Sequence, residues 1–238
     1  MPRSSLNMIP PLEQLKRDLT GTAGMTVEEV HSSGIMEGKV RPLTECLTMV
    51  GWRRLESLHN LLEDVVREDI PGDIIECGVW RGGVLIWTQT ILNLLKSDKR
   101  VFGADSFEGC PEPRLPEDYG DIHHKHDHLR VPITEVEANL MRYGHKNVTL
   151  LKGWFKDSLP LLPESQKFSI IRLDGDLYES TMDCLQSLYK RLSPGGYCII
   201  DDWHLGPVRT AVARFLGHFK ETPVFIHPDK PSICWKKS

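Results

Sequence analysis

From about residue 72 the chain alternates between two apolar rhythms. Short, nearly continuous runs of Val, Ile, Leu and Phe at 73–77 (DIIEC), 100–105 (RVFGAD), 147–153 (NVTLLKG), 168–174 (FSIIRLD) and 196–202 (GYCIIDD) read as buried strands. Between them, 84–96, 133–144 and 207–219 carry apolar residues at helical spacing. So does the stretch from Glu179, where Met182, Leu185, Leu188 and Leu192 precede a Pro-Gly-Gly stop. Two late runs, 223–227 (PVFIH) and 232–237 (SICWKK), predict further strands. Repeated strand–helix units with all-apolar strands predict an α/β fold, a doubly wound parallel sheet with helices on both faces. Such sheets bind ligands outside the carboxyl ends of their strands.

The first 71 residues precede the sheet and form an expected N-terminal helical extension, with 72–238 as the main domain and the two as one structural unit. A helix over 44–69 carries Leu55, Leu58, Leu62 and Val65 as an apolar stripe. It either packs on the sheet or caps the ligand cleft, which would bring Thr48 to Arg53 near a cofactor. Repeats, low-complexity tracts and a dividing linker are absent from the sequence.

Composition narrows the class. At 238 residues, 40% apolar and 26% charged, the chain suits one globular domain. A net charge of −4 gives no general attraction to nucleic acid or an anionic membrane, and no apolar run reaches the ~18 residues of a spanning helix. The first 21 residues lack an apolar signal core. Six cysteines lie scattered without CxxC spacing, which predicts free thiols and a reducing, cytoplasmic setting.

The strand ends carry the chemistry. The first runs into ECGVWRGG, where Glu76, Gly78, Gly82 and Gly83 form a GxxxGG turn that lets backbone approach a ligand. The second ends in Asp105 and Ser106, and an acid at that place, about 20 residues past the glycine turn, commonly accepts ribose hydroxyls. The third leads to KGWFKDSLP, where Trp154 or Phe155 offers a ring to a purine or simply fills the core. Asp157 either meets an adenine amino group or caps a short helix. The fourth and fifth end in Asp174, Asp176, Asp201 and Asp202. Any one of these acids suits a helix cap, as Asp176 does for the helix near Glu179. Four together repel one another unless a cation sits among them, and hard oxygen ligands suit Mg²⁺. Asp176, off the metal, becomes the candidate general base, with Gly175 letting the chain turn between it and Asp174.

DIHHKHDHLRV holds His123, His124, His126 and His128. The alternating three would share a strand face and bind zinc. The preceding Pro-rich CPEPRLPEDYG favours instead a long solvated loop over the site, with one imidazole reaching the substrate.

The motifs MVGWRRLESL, GDIIECGVWRGG, GADSFEGCPEP, KGWFKDSLP, RLDGDLYEST, LSPGGYCIIDDWH and CWKK run in order from about residue 40 to the end. In these the chain resembles the macrocin-type (TylF-like) O-methyltransferases, which modify sugars of secondary metabolites in antibiotic biosynthesis. The resemblance implies the class I methyltransferase fold, Rossmann-like and seven-stranded with one antiparallel strand, and methyl transfer from S-adenosylmethionine to a sugar hydroxyl with Mg²⁺. It implies cofactor contacts from Thr48, Glu76, Gly78, Gly82, Asp105, Ser106, Trp154, Asp157 and Asp174. It further implies metal ligation by Asp174, Asp201 and Asp202, and Asp176 as base. The acceptor is expected to be a small, glycosylated molecule, and a homodimer or higher homo-oligomer is compatible with the family. The rivals are a catechol- or phenylpropanoid-type Mg²⁺-dependent O-methyltransferase, which commonly shows Asp-Asn where this chain has Asp201-Asp202, and a non-catalytic scaffold of the same fold, which would have an eroded acid set. A nucleic-acid methyltransferase fits the charge poorly.

Overall fold

The computed structural model describes residues 10–22, 28–29, 46–219 and 223–238. Residues 44–45 of the expected 44–69 helix lie outside the described residues, and 46–51 are not helical: the helix starts at Trp52 after an extended Gly51 and ends at Arg67. The helices α1 (Pro10–Thr20) and α2 (Trp52–Arg67) precede the sheet. The elements that follow are β1 (Asp73–Cys77), α3 (Gly83–Leu94), β2 (Val101–Asp105), α4 (Ile133–Arg142), β3 (Thr149–Lys152), the short α5 (Phe155–Ser158), β4 (Phe168–Leu173), α6 (Tyr178–Leu188), β5 (Leu192–Ile200), α7 (Gly206–Phe219) and β6 (Ile233–Lys236).

The strands form one sheet in the order β3-β2-β1-β4-β5-β6, parallel except for β6, which runs antiparallel to β5. Side chains alternate across it, as strand geometry requires. Ile74 and Ile170 point to a layer with Leu55 and Leu62 of α2, Ile86 of α3 and Val136 of α4. Ile75 and Ile171 point to the opposite layer with Leu185 of α6 and Val212 and Phe215 of α7. Burying each such side chain stabilises the fold by about 1.5–3 kcal/mol. The sheet face thus takes α2 as a packing element, and the indole N–H of Trp87 ties α3 to it by donating to the carbonyl of Leu55 at 2.9 Å.

Three expectations change. The sheet has six strands among the described residues rather than seven, because 223–227 contributes a single bridge, Ile226 to Cys234. Pro223 and Pro228 bracket that segment and cannot donate to a ladder, and Val224 stands 85% exposed. Strand β5 starts at Leu192, earlier than the Pro-Gly-Gly punctuation indicates. Gly195 takes φ +80° there, and the ladder to β4 shifts register between Phe168 and Ile170. It also ends at Ile200, so Asp201 and Asp202 stand in the turn beyond the strand. All six cysteines are free. No helix among the described residues is long and apolar enough to cross a membrane.

Candidate active site

The strand order reverses between β1 and β4, and a cleft of about 360 Å³ opens at that switch point. Gly78, just past β1, abuts Asp174, just past β4. At φ +88°, a Cβ on it would stand 1.8 Å from the carbonyl oxygen of Asp174, so only glycine fits. Gly82 also has positive φ, but it caps the N-terminus of α3 and packs towards Val136 outside the cleft wall. Thr48 is buried beside Gly83, with its hydroxyl accepting the N–H of Val50, and its neighbour Met49 lines the cleft instead.

Asp105 and Ser106 line the cleft from the end of β2. The Asp105 carboxylate is already aimed by backbone: Oδ2 accepts the N–H of Val79 and Oδ1 that of Phe107, both at 2.8 Å. Ser106 donates to the carbonyl of Gly109 at 2.8 Å. Trp154 and Phe155 both face the cleft. Asp157 lies inside α5, exposed and just beyond the cleft-lining Trp154, Phe155 and Lys156, and caps nothing with its side chain.

Beneath the cleft is a charged cluster. Glu76 on β1 and Arg172 on β4 are register partners, and Arg172 donates to Glu76 at 2.5 Å, to Asp174 at 2.8 Å and to Asp201 at 2.6 Å. Arg54 of α2 reaches the other oxygen of Asp201 and lies 3.0 Å from Asp229. Burial acts to raise Asp201, but Arg172 and Arg54 outweigh it and hold its carboxyl below the ordinary value. Asp174 shares Arg172 with Glu76 and Asp201, and Asp202 accepts the backbone N–H of Asp176. Burial first, then repulsion by Asp201 for Asp174 and by Asp176 for Asp202, pushes both well above the carboxylate range. Burial also raises Glu76 to about 8 against the pull of Arg172, and its Oε2 finds no hydrogen-bond partner among the described residues.

Four carboxyls (Glu76, Asp174, Asp201 and Asp229) therefore pair with two guanidiniums, and Asp202, which accepts the N–H of Asp176, adjoins them. Asp174, Asp201 and Asp202 bring ligand oxygens within 4.8 Å of one another. This all-oxygen, electron-rich donor set fits a hard divalent cation. Each Asp201 oxygen carries one guanidinium contact and keeps a second lone pair.

Asp176 does not cap α6. Its backbone sits at φ +60°, a left-handed conformation that Asp tolerates, and its N–H donates to Asp202 at 3.1 Å. The turn is thus made by Asp176 itself and not by Gly175. Glycine serves there by space, since a Cβ would meet Ser180 at 3.0 Å and Phe155 at 3.2 Å. Burial and the nearby Asp174 raise the Asp176 carboxyl to about 6, opposed by His123.

The loop 106–132 covers this side of the cleft. It forms three short 3₁₀ turns, Pro116–Asp118, His123–Lys125 and Asp127–Leu129, so His124, His126 and His128 share no strand face. Among the described residues the aspartate trio is the one metal-ligand group of three, and no histidine belongs to it. The cap of α6 comes from this loop: Asp118 accepts the N–H groups of Tyr178 at 2.6 Å and Glu179 at 3.1 Å. Arg114 pairs with Glu179 at 2.5 Å, and the Trp80 indole donates to the carbonyl of His128 at 2.8 Å. Arg54, Arg172 and Asp118 carry parts of the site that spacing did not reveal, as do Cys110, whose thiol donates to Asp176 at 3.5 Å, and Asp121, whose carboxylate lies 2.7 Å from Nδ1 of His123. Arg172 alone left a mark in the sequence, a charge between Ile171 and Leu173 in a buried strand.

A family model described as "Macrocin-O-methyltransferase (TylF)" matches residues 12–237. The chain is 42% identical to a tetracenomycin-C rhamnosyl 4'-O-methyltransferase of Streptomyces olivaceus, over 79% of this chain and 75% of that one. It is 34% identical to mycinamicin III 3''-O-methyltransferase of Micromonospora griseorubida, over 93% and 91% respectively. Among solved structures it is similar to the O-methyltransferase NovP, at TM-score 0.87 and 35% identity, covering 96% of this chain and 98% of that one. The chain belongs to the macrocin O-methyltransferase family, and its chemistry is the transfer of a methyl group from S-adenosylmethionine to a hydroxyl.

Proposed function

We propose that the acceptor is a sugar hydroxyl on a small, glycosylated secondary metabolite, and that the transfer is Mg²⁺-dependent. The observation that carries this reading is the placement of Asp174, Asp201 and Asp202 within 4.8 Å of one another, beside Asp176 at the cleft. Two relatives named for sugar methylation support the acceptor class.

Gly78 would let backbone approach the methionine part of the cofactor, with the unpartnered Oε2 of Glu76 close behind it. Asp105 and Ser106 would take the ribose, using the lone pairs their backbone contacts leave free. Trp154 or Phe155 would stack on the adenine. Thr48 and Gly82 would support this wall from behind, and Asp157 would stand at its outer edge near the adenine. Asp174, Asp201 and Asp202 would hold Mg²⁺, with Arg54 and Arg172 fixing Asp201. Bound there, the ion would supply Lewis-acid stabilisation of the developing alkoxide. Asp176 would accept the proton as the oxygen attacks the sulfonium methyl. Met49 and the loop 106–132 would exclude water and hold the acceptor in line. Residues 1–71 would act as a helical extension of the 72–238 domain, and the free thiols suit a cytoplasmic enzyme.

The test is mass spectrometry of products from S-adenosylmethionine and a panel of glycosides and catechols, with Mg²⁺ and with excess EDTA. Methylation of glycosides, abolished by EDTA and restored by Mg²⁺, is the expected result. Full activity in EDTA refutes the metal reading, and exclusive methylation of catechols refutes the acceptor.

A further inference from the structure

A turn near the C-terminus reaches the acid cluster through Arg54. The Arg54 guanidinium meets two carboxylates on separate atoms: Nη1 donates to Oδ2 of Asp201, and Nε lies 3.0 Å from Oδ2 of Asp229. All three side chains are nearly dry, at 11% exposure for Arg54, 6% for Asp201 and 3% for Asp229. Asp229 is itself held in place. Its Oδ1 accepts the backbone N–H of Ser232 at 3.0 Å and the Ser232 hydroxyl at 2.7 Å, closing the turn 229–232. That turn is also bonded to the one carrying Asp201 and Asp202, because the carbonyl of Pro231 accepts the N–H of His204 at 3.3 Å.

We propose that Asp229 is a positioning residue of the metal centre, acting through Arg54 on Asp201. This rests on Asp174, Asp201 and Asp202 holding the divalent cation. Both Asp201 oxygens already face a guanidinium, Arg54 on one and Arg172 on the other. A guanidinium serving Asp201 alone competes with a metal ion for the same negative charge. Asp229 draws Arg54 the other way, so that one cation is shared between two carboxylates. The planar fork of arginine, engaged at two atoms, is also fixed in direction, which holds Asp201 in place without neutralising it.

Two observations set this apart from a plain stabilising pair. Nε of Arg54 and Oδ2 of Asp229 are close but not aligned as a hydrogen bond, and neither has a hydrogen-bond partner among the described residues. Asp229 therefore gives Arg54 charge and placement rather than a directional bond. A pair buried this deeply is also a weak source of stability, since apolar residues of the same volume often do as well. What apolar residues cannot do is divide the charge of an arginine that already touches Asp201.

Asp229→Asn tests this, because it keeps the oxygen that serves Ser232 and removes the charge facing Arg54. Mn²⁺ binding to the protein saturated with S-adenosylhomocysteine, read from the electron paramagnetic resonance of the free ion, should weaken on the order of tenfold, the size of one charge interaction near a dry site. The KM for Mg²⁺ in methyl transfer should rise in parallel, with lost rate recovered at high Mg²⁺, while S-adenosylhomocysteine affinity stays near the wild-type value. Ser232→Ala is the control: it loosens the turn but keeps the charge, so it should lower the melting temperature and spare Mn²⁺ binding. Adding Asp229→Asn to Arg54→Met should cost no further Mn²⁺ affinity, because the effect runs through Arg54. That double variant removes one charge of each sign and carries the test if Asp229→Asn alone does not fold. Unchanged Mn²⁺ affinity in Asp229→Asn, an equal loss in Ser232→Ala, or the same loss in the Arg54→Met background overturns the proposal. If the wild type binds no Mn²⁺ and works in EDTA, the metal reading falls and the role of Asp229 with it. If the wild type binds Mn²⁺ and Asp229→Asn binds it equally, only the role of Asp229 falls.

Discussion

The carboxylate of Asp118, on the loop over the cleft, accepts the backbone N–H of Tyr178 at 2.6 Å and so caps the helix that follows Asp176. The same contact pins the loop and aims the candidate base. Asp118→Ala should lower stability by about 1 kcal/mol, the usual cost of a lost cap. That is a fall of ~2–4 °C in the melting temperature for a chain of this size. Methyl transfer should fall by more than the lost stability explains, because loop and Asp176 loosen together; thermal melts and steady-state kinetics on one preparation check both.

Arg172 serves three buried acids, Glu76, Asp174 and Asp201. Arg172→Met leaves all three without it, and removing one partner from a buried ion pair costs about 3–5 kcal/mol. Denaturant unfolding should show that loss.

Gly78→Ala should abolish cofactor binding more than tenfold, since its Cβ would push the carbonyl of Asp174 away from β1. Gly120→Ala is the control: it also sits at positive φ, +94°, but with nothing within 4 Å, so it should cost only about 1–2 kcal/mol of backbone strain. Calorimetric titration with S-adenosylhomocysteine distinguishes the two.

Glu76 makes stability depend on pH in a defined direction. Its folded value, about 8, lies above the ordinary 4.5, so the folded state holds its proton more tightly than the unfolded chain. This contribution is complete below about pH 4.5 and is lost as pH rises through about 8. Relative to Glu76→Gln, the metal-free wild type should therefore lose stability across that window. Parallel pH dependences in urea titrations of the two proteins would contradict it.

Much of this was readable along the chain because apolar runs such as FSIIRL leave few choices for a buried strand. The acids at the strand ends were readable for the same reason, since a strand that must be dry makes its first charge conspicuous. Other parts depend on distance in space. Asp118 caps a helix 60 residues away, a partnership no local pattern encodes, so the cap seemed to belong to the adjacent Asp176. The alternation of His124, His126 and His128 is meaningful only on a strand, and the 3₁₀ turns of the loop erase it. Gly175 invited a conformational explanation where the constraint is crowding by Ser180 and Phe155.

Arg54 sits on α2, ahead of the first strand, yet its guanidinium grips Asp201 and adjoins Asp229 near the far end of the chain. A fragment starting at residue 72 would keep every sheet strand and all four strand-end aspartates but would strand Asp201 beside one arginine instead of two. The boundary between extension and domain is therefore a division of chain order, not of chemistry. Attempts to trim or exchange the N-terminal segment among relatives would alter the electrostatics of the reacting centre some 150 residues downstream.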